Sequence, residues 1–534
     1  MARQQAAGWG SGSIITPLRR GLFRSLWSAN LVSNFGWLVQ TVGAAWLMTS
    51  LDGSPDMVAL VQTAVQAPIF VLALIAGAVA DVWDRRAVLL LAQFWMLAVS
   101  VVLALATSWG LVTPWLLLGL TFALGMGTAL QGPAFQGVVR ELVPTEELPA
   151  AVTLNAVAFN FARAVGPAIG GAIVATAGAQ GAFIFNALSY VALIVVLLMW
   201  RRPPPGDDLP RERIGRAIVT GLRYFSETPP IRVTTLRSAV FATGAAAPLA
   251  LLPLVARDML GGGPVDFGLL LGAFGAGAMG SAFLVHPLRQ RIGAERVVLL
   301  LTTLYGLSLA AVAIFPYYVP IMLALALAGG AWLGSFSTFN ISVQLSAALW
   351  VQARVFSLYQ MVMFGAMAAA SWFWGWLAED VSLEGSLLAA GGLMLASLLL
   401  HWRYALPGGR MPDLRPAPRQ AEPVPAILLA DNDGPVLVTI DYRVGMANAT
   451  AFARAMEEVG HLRRRNGAST WRLFQDATDA AHWTEVFTIA SWLDYRRQAR
   501  RATTADHGIE QAARDFHEGA EPPAIRHMIA RHLH

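Results

Sequence analysis

Twelve stretches of about twenty apolar residues, each long enough to cross a bilayer, alternate with connectors that carry nearly all the arginines of the first 404 residues. That region holds 22 arginines: twenty on connectors that would share one side of a bilayer, Arg257 on the other side, and Arg163 inside a stretch. Short basic loops are retained on the cytoplasmic face. The pattern therefore predicts a polytopic membrane protein with both ends inside, and it excludes a water-soluble core.

Composition agrees once the charge is located. Of 534 residues, 56% are hydrophobic and 13% charged, against about 25% charged in soluble domains. The net charge of +5 comes from residues 1–404, with 22 Arg against 17 acids; residues 405–534 hold 16 of each. An excess placed on one set of loops suits topology and lipid headgroups, not nucleic acid. The absence of cysteine removes disulfides and thiolate chemistry. Arg19, Arg20 and Arg24 precede an apolar run from Leu26 to Met48, too long for the core of a secretory signal. It is read as the first span.

The stretches lie near 26–48, 57–80, 87–108, 114–135, 150–176, 181–200, 239–257, 266–286, 297–315, 320–345, 355–377 and 383–402. The expected fold class is an all-α membrane protein of twelve transmembrane helices in two six-helix bundles, residues 1–200 and 239–404, followed by a soluble α+β domain. The connector 201–238 carries Ile214, Ile218, Leu222 and Phe225 at near-helical spacing opposite Arg211, Arg213, Arg216 and Arg223. That predicts an amphipathic helix on the cytoplasmic leaflet, with a solvated linker as the alternative. A shift of 205 residues lays Asp84 and Arg86 over Arg289 and Arg291, and Asn155 over Gln360, the weak symmetry of transporter halves.

After Leu406 the character changes. Pro407, Pro412, Pro416, Pro418, Pro423 and Pro425 predict an extended linker over 405–425. In 426–534, Val436, Val438, Ile440, Tyr442 and Val444 alternate as a strand, and Phe452, Met456, Val459 and Leu462 follow helical spacing. Strands over Thr470 to Gln475 and Trp483 to Ile489, helix from Trp492 to about Phe516 and a strand from Ile525 to Ala530 complete a β-α-β-β-α-β order, that of ferredoxin-like domains. Arg463, Arg464 and Arg465, at a helix end where the dipole favours cations, read as a solvated face.

Three runs carry a family resemblance. The connector after the second span reads Gly77-Ala-Val-Ala-Asp81-Val-Trp-Asp84-Arg85-Arg86. It resembles the loop signature of the major facilitator superfamily, with Val82 and Asp84 departing from the pattern. The resemblance implies a gating role for Gly77, Asp81, Arg85 and Arg86. The fifth span contains Gly166-Pro167-Ala-Ile-Gly170-Gly171, similar to the exporter motif of that superfamily and fit for close helix packing and bending. Gly132-Pro133-Ala134, Glu141-Leu-Val-Pro144, Leu154-Asn155, Asn160, Arg163 and Gly166-Pro167 together resemble the transmembrane secretion effector branch over about 20–400. The tail resembles antibiotic biosynthesis monooxygenase-like domains through its element order and through Arg465-Asn-Gly467-Ala-Ser-Thr-Trp471 and Ser491-Trp492-Leu-Asp-Tyr495.

Arg163 lies 13 residues into its span, about 20 Å deep at 1.5 Å per residue. A cation there costs about 2.5–3.5 kcal/mol and must face the interior or a wet cavity. Two roles are open to it: attracting an anionic substrate, or capping carbonyls and pairing with Asn155 and Asn160. Asn34, Gln131, Asn340 and Gln360 are further substrate-binding candidates, with Asn30 and Gln344 also polar within spans and Trp37, Trp332, Phe336 and Trp372 as aromatic walls. The reading is a secondary transporter exporting a small organic molecule, such as a siderophore, drug or secondary metabolite, by alternating access in a bacterial cytoplasmic membrane. No cofactor is required; proton coupling is implied only by the superfamily, since no carboxylate falls mid-span. The tail is expected to bind a ligand, dimerise or regulate. The alternative is a membrane-tethered cofactor-independent monooxygenase or a ligand sensor acting through the tail.

Overall fold

The computed structural model describes residues 15–144, 146–200, 214–348, 350–407, 413–414, 417 and 425–530. The long helices are α1 (Gly21–Leu51), α2 (Pro55–Val82), α3 (Arg85–Ser108), α4 (Pro114–Leu142) and α5 (Leu148–Met199). After the short α6 (Ile214–Ser226) come α7 (Pro229–Leu254), α8 (Pro264–Ile292), α9 (Ala294–Ile314), α10 (Tyr318–Leu345), α11 (Gln352–Asp380) and α12 (Leu383–Ser397). Local chemistry sets their starts. Prolines open α2, α4 and α8, where a missing N–H costs nothing, and Asp84, Thr113 and Ser382 accept backbone N–H bonds ahead of α3, α4 and α12.

Ten helices among the described residues are long and apolar enough to cross a membrane: α2 to α5 and α7 to α12, the last extended to Trp402. α1 is not among the ten, because Asn30, Ser33, Asn34 and Gln40 interrupt its apolar run. α5 has 52 residues but is not one rod; Gly178 adopts φ +68, a conformation that L side chains rarely take, and breaks it.

By contact the chain divides into two units. One comprises 1–214, 234–341 and 359–408; the other comprises 215–233, 342–358 and 409–534. In the first unit, glycines let helix backbones meet. Gly277 of α8 lies on the Ala326 carbonyl of α10, and Gly329 of α10 on the Phe274 carbonyl of α8. A polar node ties α1, α3 and the far end of α5: Asn186 Nδ2 donates to Gln40 Oε1 (3.3 Å), Ser100 Oγ (3.2 Å) and Tyr190 OH (3.3 Å). Glu295, in the first turn of α9, accepts from Arg237 (2.5 Å) and from the Leu406 backbone (2.7 Å) and meets His401 (2.8 Å).

The second unit is built on a four-stranded antiparallel sheet of β1 (Val436–Arg443), β2 (Thr470–Gln475), β3 (His482–Ile489) and β4 (Ala524–Ile529), in the order β2-β3-β1-β4. Strand alternation buries Val436, Val438, Ile440 and Tyr442 with Phe487 and Ile489 of β3. Phe452, Met456 and Val459 of α13 (Ala449–Asn466) close that core. α14 (Trp492–Arg501) and α15 (Thr504–Arg514) follow β3.

A helix, α6, forms within the stretch expected to be amphipathic: Leu222 is exposed and Ile218 half-buried, while Gly221 and Tyr224 are buried. Tyr224 OH accepts from Ala348 N (3.1 Å), and Arg223 donates to the Ala468 carbonyl (3.1 Å). Two expectations change here. Arg463, Arg464 and Arg465 are no solvated face. Arg463 pairs with Glu485 and Glu510, Arg464 with Glu227, and Arg465 with buried Asp506. Nor are all residues of the proline-rich stretch a free spacer, since Ala417 N bonds the Ala502 carbonyl (3.0 Å) and Asp413 O accepts from Ala505 (2.9 Å). Pro412, Pro416, Pro418 and Pro423, together with Arg211 and Arg213, lie outside the described residues.

A pH dependence follows from His527 of β4, whose Nε2 meets Tyr495 OH at 2.7 Å. Burial holds its pKa below the usual histidine value. The unfolded chain then binds the proton more readily than the folded one, so this contribution is intact above about pH 6.5 and is lost as pH falls. Protection factors of the β4 amides, taken relative to intrinsic exchange at each pH, are expected to fall between about pH 7.5 and 5.5, and His527→Phe is expected to remove the difference.

Candidate functional site

The exporter-like run in α5 makes contacts in two directions. Gly166 faces Leu38 and Phe35 of α1, and Gly170 faces Val39 and Val42. Gly171 turns to α8: a Cβ placed on it would stand 2.5 Å from the Pro264 carbonyl and 3.2 Å from Gly268 Cα. A Cβ on Gly268 would stand 2.5 Å from the Pro167 carbonyl, and Gly275 abuts the backbone of Arg163 and Ala164. α5 and α8 thus meet backbone to backbone. At the same end, Arg257 donates to the carbonyls of Thr49 (3.1 Å) and Gly53 (2.9 Å), and Thr63 of α2 bonds the Ala368 carbonyl of α11 (2.8 Å).

Further along α5, Asn155, Phe159 and Arg163 recur every fourth residue and share one helix face. Trp332, Phe336 and Asn340 recur likewise on α10. The two rows meet at the arginine. Its guanidinium carbon lies 4.7 Å from the Phe159 ring centroid and 4.5 Å from that of Trp332, a cation held between two π faces. Trp37 of α1 stacks behind Phe159 (6.5 Å), and Phe336 stands edge-on to Trp332 (5.0 Å). Among the described residues no carboxylate pairs with Arg163. The expected pairing with Asn155 and Asn160 is not made; the Asn160 amide donates to the Ala156 carbonyl of its own helix (2.8 Å). Aromatic faces reach the cation first, from one helical turn away and from α10.

The side-chain oxygens of Asn155, Asn160 and Asn340 and the indole N–H of Trp332 are buried without a hydrogen-bond partner among the described residues. Such groups cost free energy unless something satisfies them. Asn34, Gln131 and Gln360 are half-buried on α1, α4 and α11, apart from the Arg163 stack. Trp372, expected in an aromatic wall, is exposed on α11. The Asn186 node was missed from sequence; an amide, a hydroxyl and another amide at mid-span were its only sign.

The loop signature splits similarly. Arg85 donates to the Gly137 carbonyl (3.2 Å) and Glu141 (2.9 Å) of α4, and Arg86 caps the carbonyls of Leu197 (2.7 Å) and Leu198 (3.0 Å) at the end of α5. Gly77 is half-buried in α2; Asp81 lies in the last turn of that helix, with its side chain outside the described residues.

The multidrug efflux pump Tap of Mycolicibacterium fortuitum is 27% identical over 399 residues, covering 72% of this chain and 95% of its own length. The staphyloferrin A transporter of Staphylococcus aureus is 24% identical over 279 residues, 52% of this chain and 69% of its own. About three quarters of the chain shares the fold of solved transporters. A bacterial homologue of the human lysosomal transporter Spinster, in an inward-facing and unoccupied conformation, superposes with a TM-score of 0.58 at 15% identity, over 74% of this chain and 96% of its own. The sequence profile of the transmembrane secretion effectors matches residues 12–533, and the chain belongs to that family of major facilitator transporters.

Proposed function

We propose that this protein is a secondary exporter of a small organic molecule, working by alternating access in the cytoplasmic membrane of a bacterium. The observation that carries the reading is the glycine seam of α5 and α8. It joins helices from the two halves of the chain backbone to backbone, so the halves can close tightly there, and parting them requires only the side-chain bonds of Arg257 and Thr63 at that end to break. The tight end is the one bearing Arg257, which the arginine bias assigns to the outer face. Counting α1 and dividing α5 at Gly178 raises the ten spans to twelve, six in residues 1–200 and six in 239–404, with both termini cytoplasmic. Efflux and siderophore transport by the relatives support an organic cargo. Arg85 and Arg86 brace the inner ends of the first bundle, and we read them with Gly77 and Asp81 as a gating loop. The strand order of the C-terminal unit supports a ferredoxin-like domain, which we read as a cytoplasmic regulatory module.

Everted membrane vesicles containing the full chain test this. On imposing an inward-acidic proton gradient, uptake of at least one dye from a panel of cationic dyes such as ethidium, neutral dyes and anionic dyes is expected to exceed that of vesicles without the protein at least fivefold and to collapse when the gradient is dissipated. Uptake no greater than that of protein-free vesicles for every dye of the panel would overturn the transporter reading.

A further inference from the structure

We propose that the facing rows Asn155, Phe159 and Arg163 of α5 and Trp332, Phe336 and Asn340 of α10 form a site for an organic anion that also carries N–H or O–H donors. The proposal rests on the transporter reading and names its substrate class.

The Arg163 guanidinium carbon lies over the rings of Phe159 at 4.7 Å and Trp332 at 4.5 Å. Ring faces accept no conventional hydrogen bond, and the planar fork of N–H donors is the geometry that grips a carboxylate or phenolate edge-on. Among the described residues nothing anionic meets them, so the charge is held deep in an apolar region without a counter-ion. The Trp332 indole N–H is a second donor without a partner beside it. One turn along, Phe159 and Phe336 offer apolar walls. Beyond them the unsatisfied amide oxygens of Asn155 and Asn340, with Asn160 alongside, are acceptors. A ligand that satisfies every group must be anionic at the arginine end, flat or apolar in the middle, and a donor at the asparagine end. A hydrophobic cation, the usual efflux probe, matches only the middle. Because one row comes from each half of the chain, such an anion would bind best where α5 and α10 are close, which couples occupancy to closure.

The test uses 4-hydroxyphenylacetate, which sets a carboxylate, a phenyl ring and a phenolic O–H in that order, against its uncharged analogue 4-hydroxyphenylacetamide. Binding is measured on the purified full chain in proteoliposomes. Wild type is expected to bind the carboxylate at least tenfold more tightly than the amide. Arg163→Gln is expected to erase that preference without changing affinity for the amide, and Arg163→Lys to restore it in part. Asn340→Leu, which leaves the cation in place, is expected to weaken both ligands together, and it keeps the test alive should Arg163→Gln fail to fold. Equal wild-type binding of the two ligands, or an anion preference that survives Arg163→Gln, overturns the proposal. Vesicles that move ethidium while showing no anion preference would sink the anion site alone; vesicles that move no dye of any charge would sink the transporter reading beneath it.

Discussion

Gly268→Leu is expected to reduce transport at least tenfold while leaving the protein folded in the membrane. A side chain at this position would collide with the Pro167 carbonyl at 2.5 Å and with Gly171 Cα at 3.0 Å, both of them backbone, so no rotamer change in a neighbour can make room. α8 keeps its own support, because Gly277 and Gly329 still hold it against α10. The penalty therefore falls on closure of the α5 and α8 seam, not on folding. Overpacking costs about 1–3 kcal/mol, and a backbone clash belongs at the upper end. At 1.4 kcal/mol per decade, the closed state would lose about tenfold to a hundredfold in population. Gly280→Leu, twelve residues further along the same helix, meets open space and is expected to transport normally. The chain has no native cysteine, so a single Thr49→Cys, at a buried position whose carbonyl Arg257 holds, reports directly on the outer end. In the Gly268→Leu background it is expected to react faster with an impermeant maleimide, since Arg257 would no longer be held over the Thr49 and Gly53 carbonyls. Transport at the wild-type rate, with unchanged labelling, would mean that the seam does not move.

How much of this was visible in the residues depends on whether each property is local. Apolar length and arginine placement are local, so the ten helices long and apolar enough to cross a membrane among the described residues fall where spans were expected, although the stretches near 150–176 and 181–200 share α5 and α1 is not among the ten. Strand alternation is local too, and β2 falls where the pattern put it, from Thr470 to Gln475. The glycine run in α5 announced close packing, yet the split of its contacts between α1 and α8 depends on which helices neighbour it, and period alone does not carry that. Arg163 was recognisable as a cation within a span because its own segment is apolar; it is half-buried. Its aromatic partner on α10 was not, since stacking on Trp332 is a property of the folded bundle. The tail arginines show the same boundary from the other side. Their helix-end position suggested solvent, whereas the carboxylates that claim them, Glu485, Glu510 and Asp506, come from β3 and α15.

That boundary yields the second large effect. Arg463→Ala is expected to unfold the C-terminal sheet domain well below the temperature at which the unsubstituted domain melts. Glu485 is fully buried and accepts from Arg463 Nε (2.9 Å), Trp471 Nε1 (3.1 Å) and Tyr442 OH (3.3 Å), while Arg463 also reaches Glu510 (2.5 Å) and covers the Phe487 ring at 4.9 Å. Removing the cation leaves a carboxylate in the core with two neutral donors and no charge partner, a change that costs about 3–5 kcal/mol. For a domain of this size each kcal/mol moves the midpoint about 4–8 °C, so a fall of at least about 12 °C is expected. Amide exchange of β1 and β3 in the full chain should quicken together, because the two strands share this core through the Val438 and Phe487 pairing. The pair itself is a poor source of stability, since two desolvated charges return little net free energy. The double substitution Arg463→Met with Glu485→Leu is accordingly expected to sit close to the unsubstituted protein, far above the sum of the single changes. If the double variant is as unstable as Arg463→Ala, the loss comes from packing around the arginine stem and not from a stranded charge. Transport by Arg463→Ala separates the tail from the helices: flux near the wild-type level would show that the sheet domain tunes the exporter without forming its pathway.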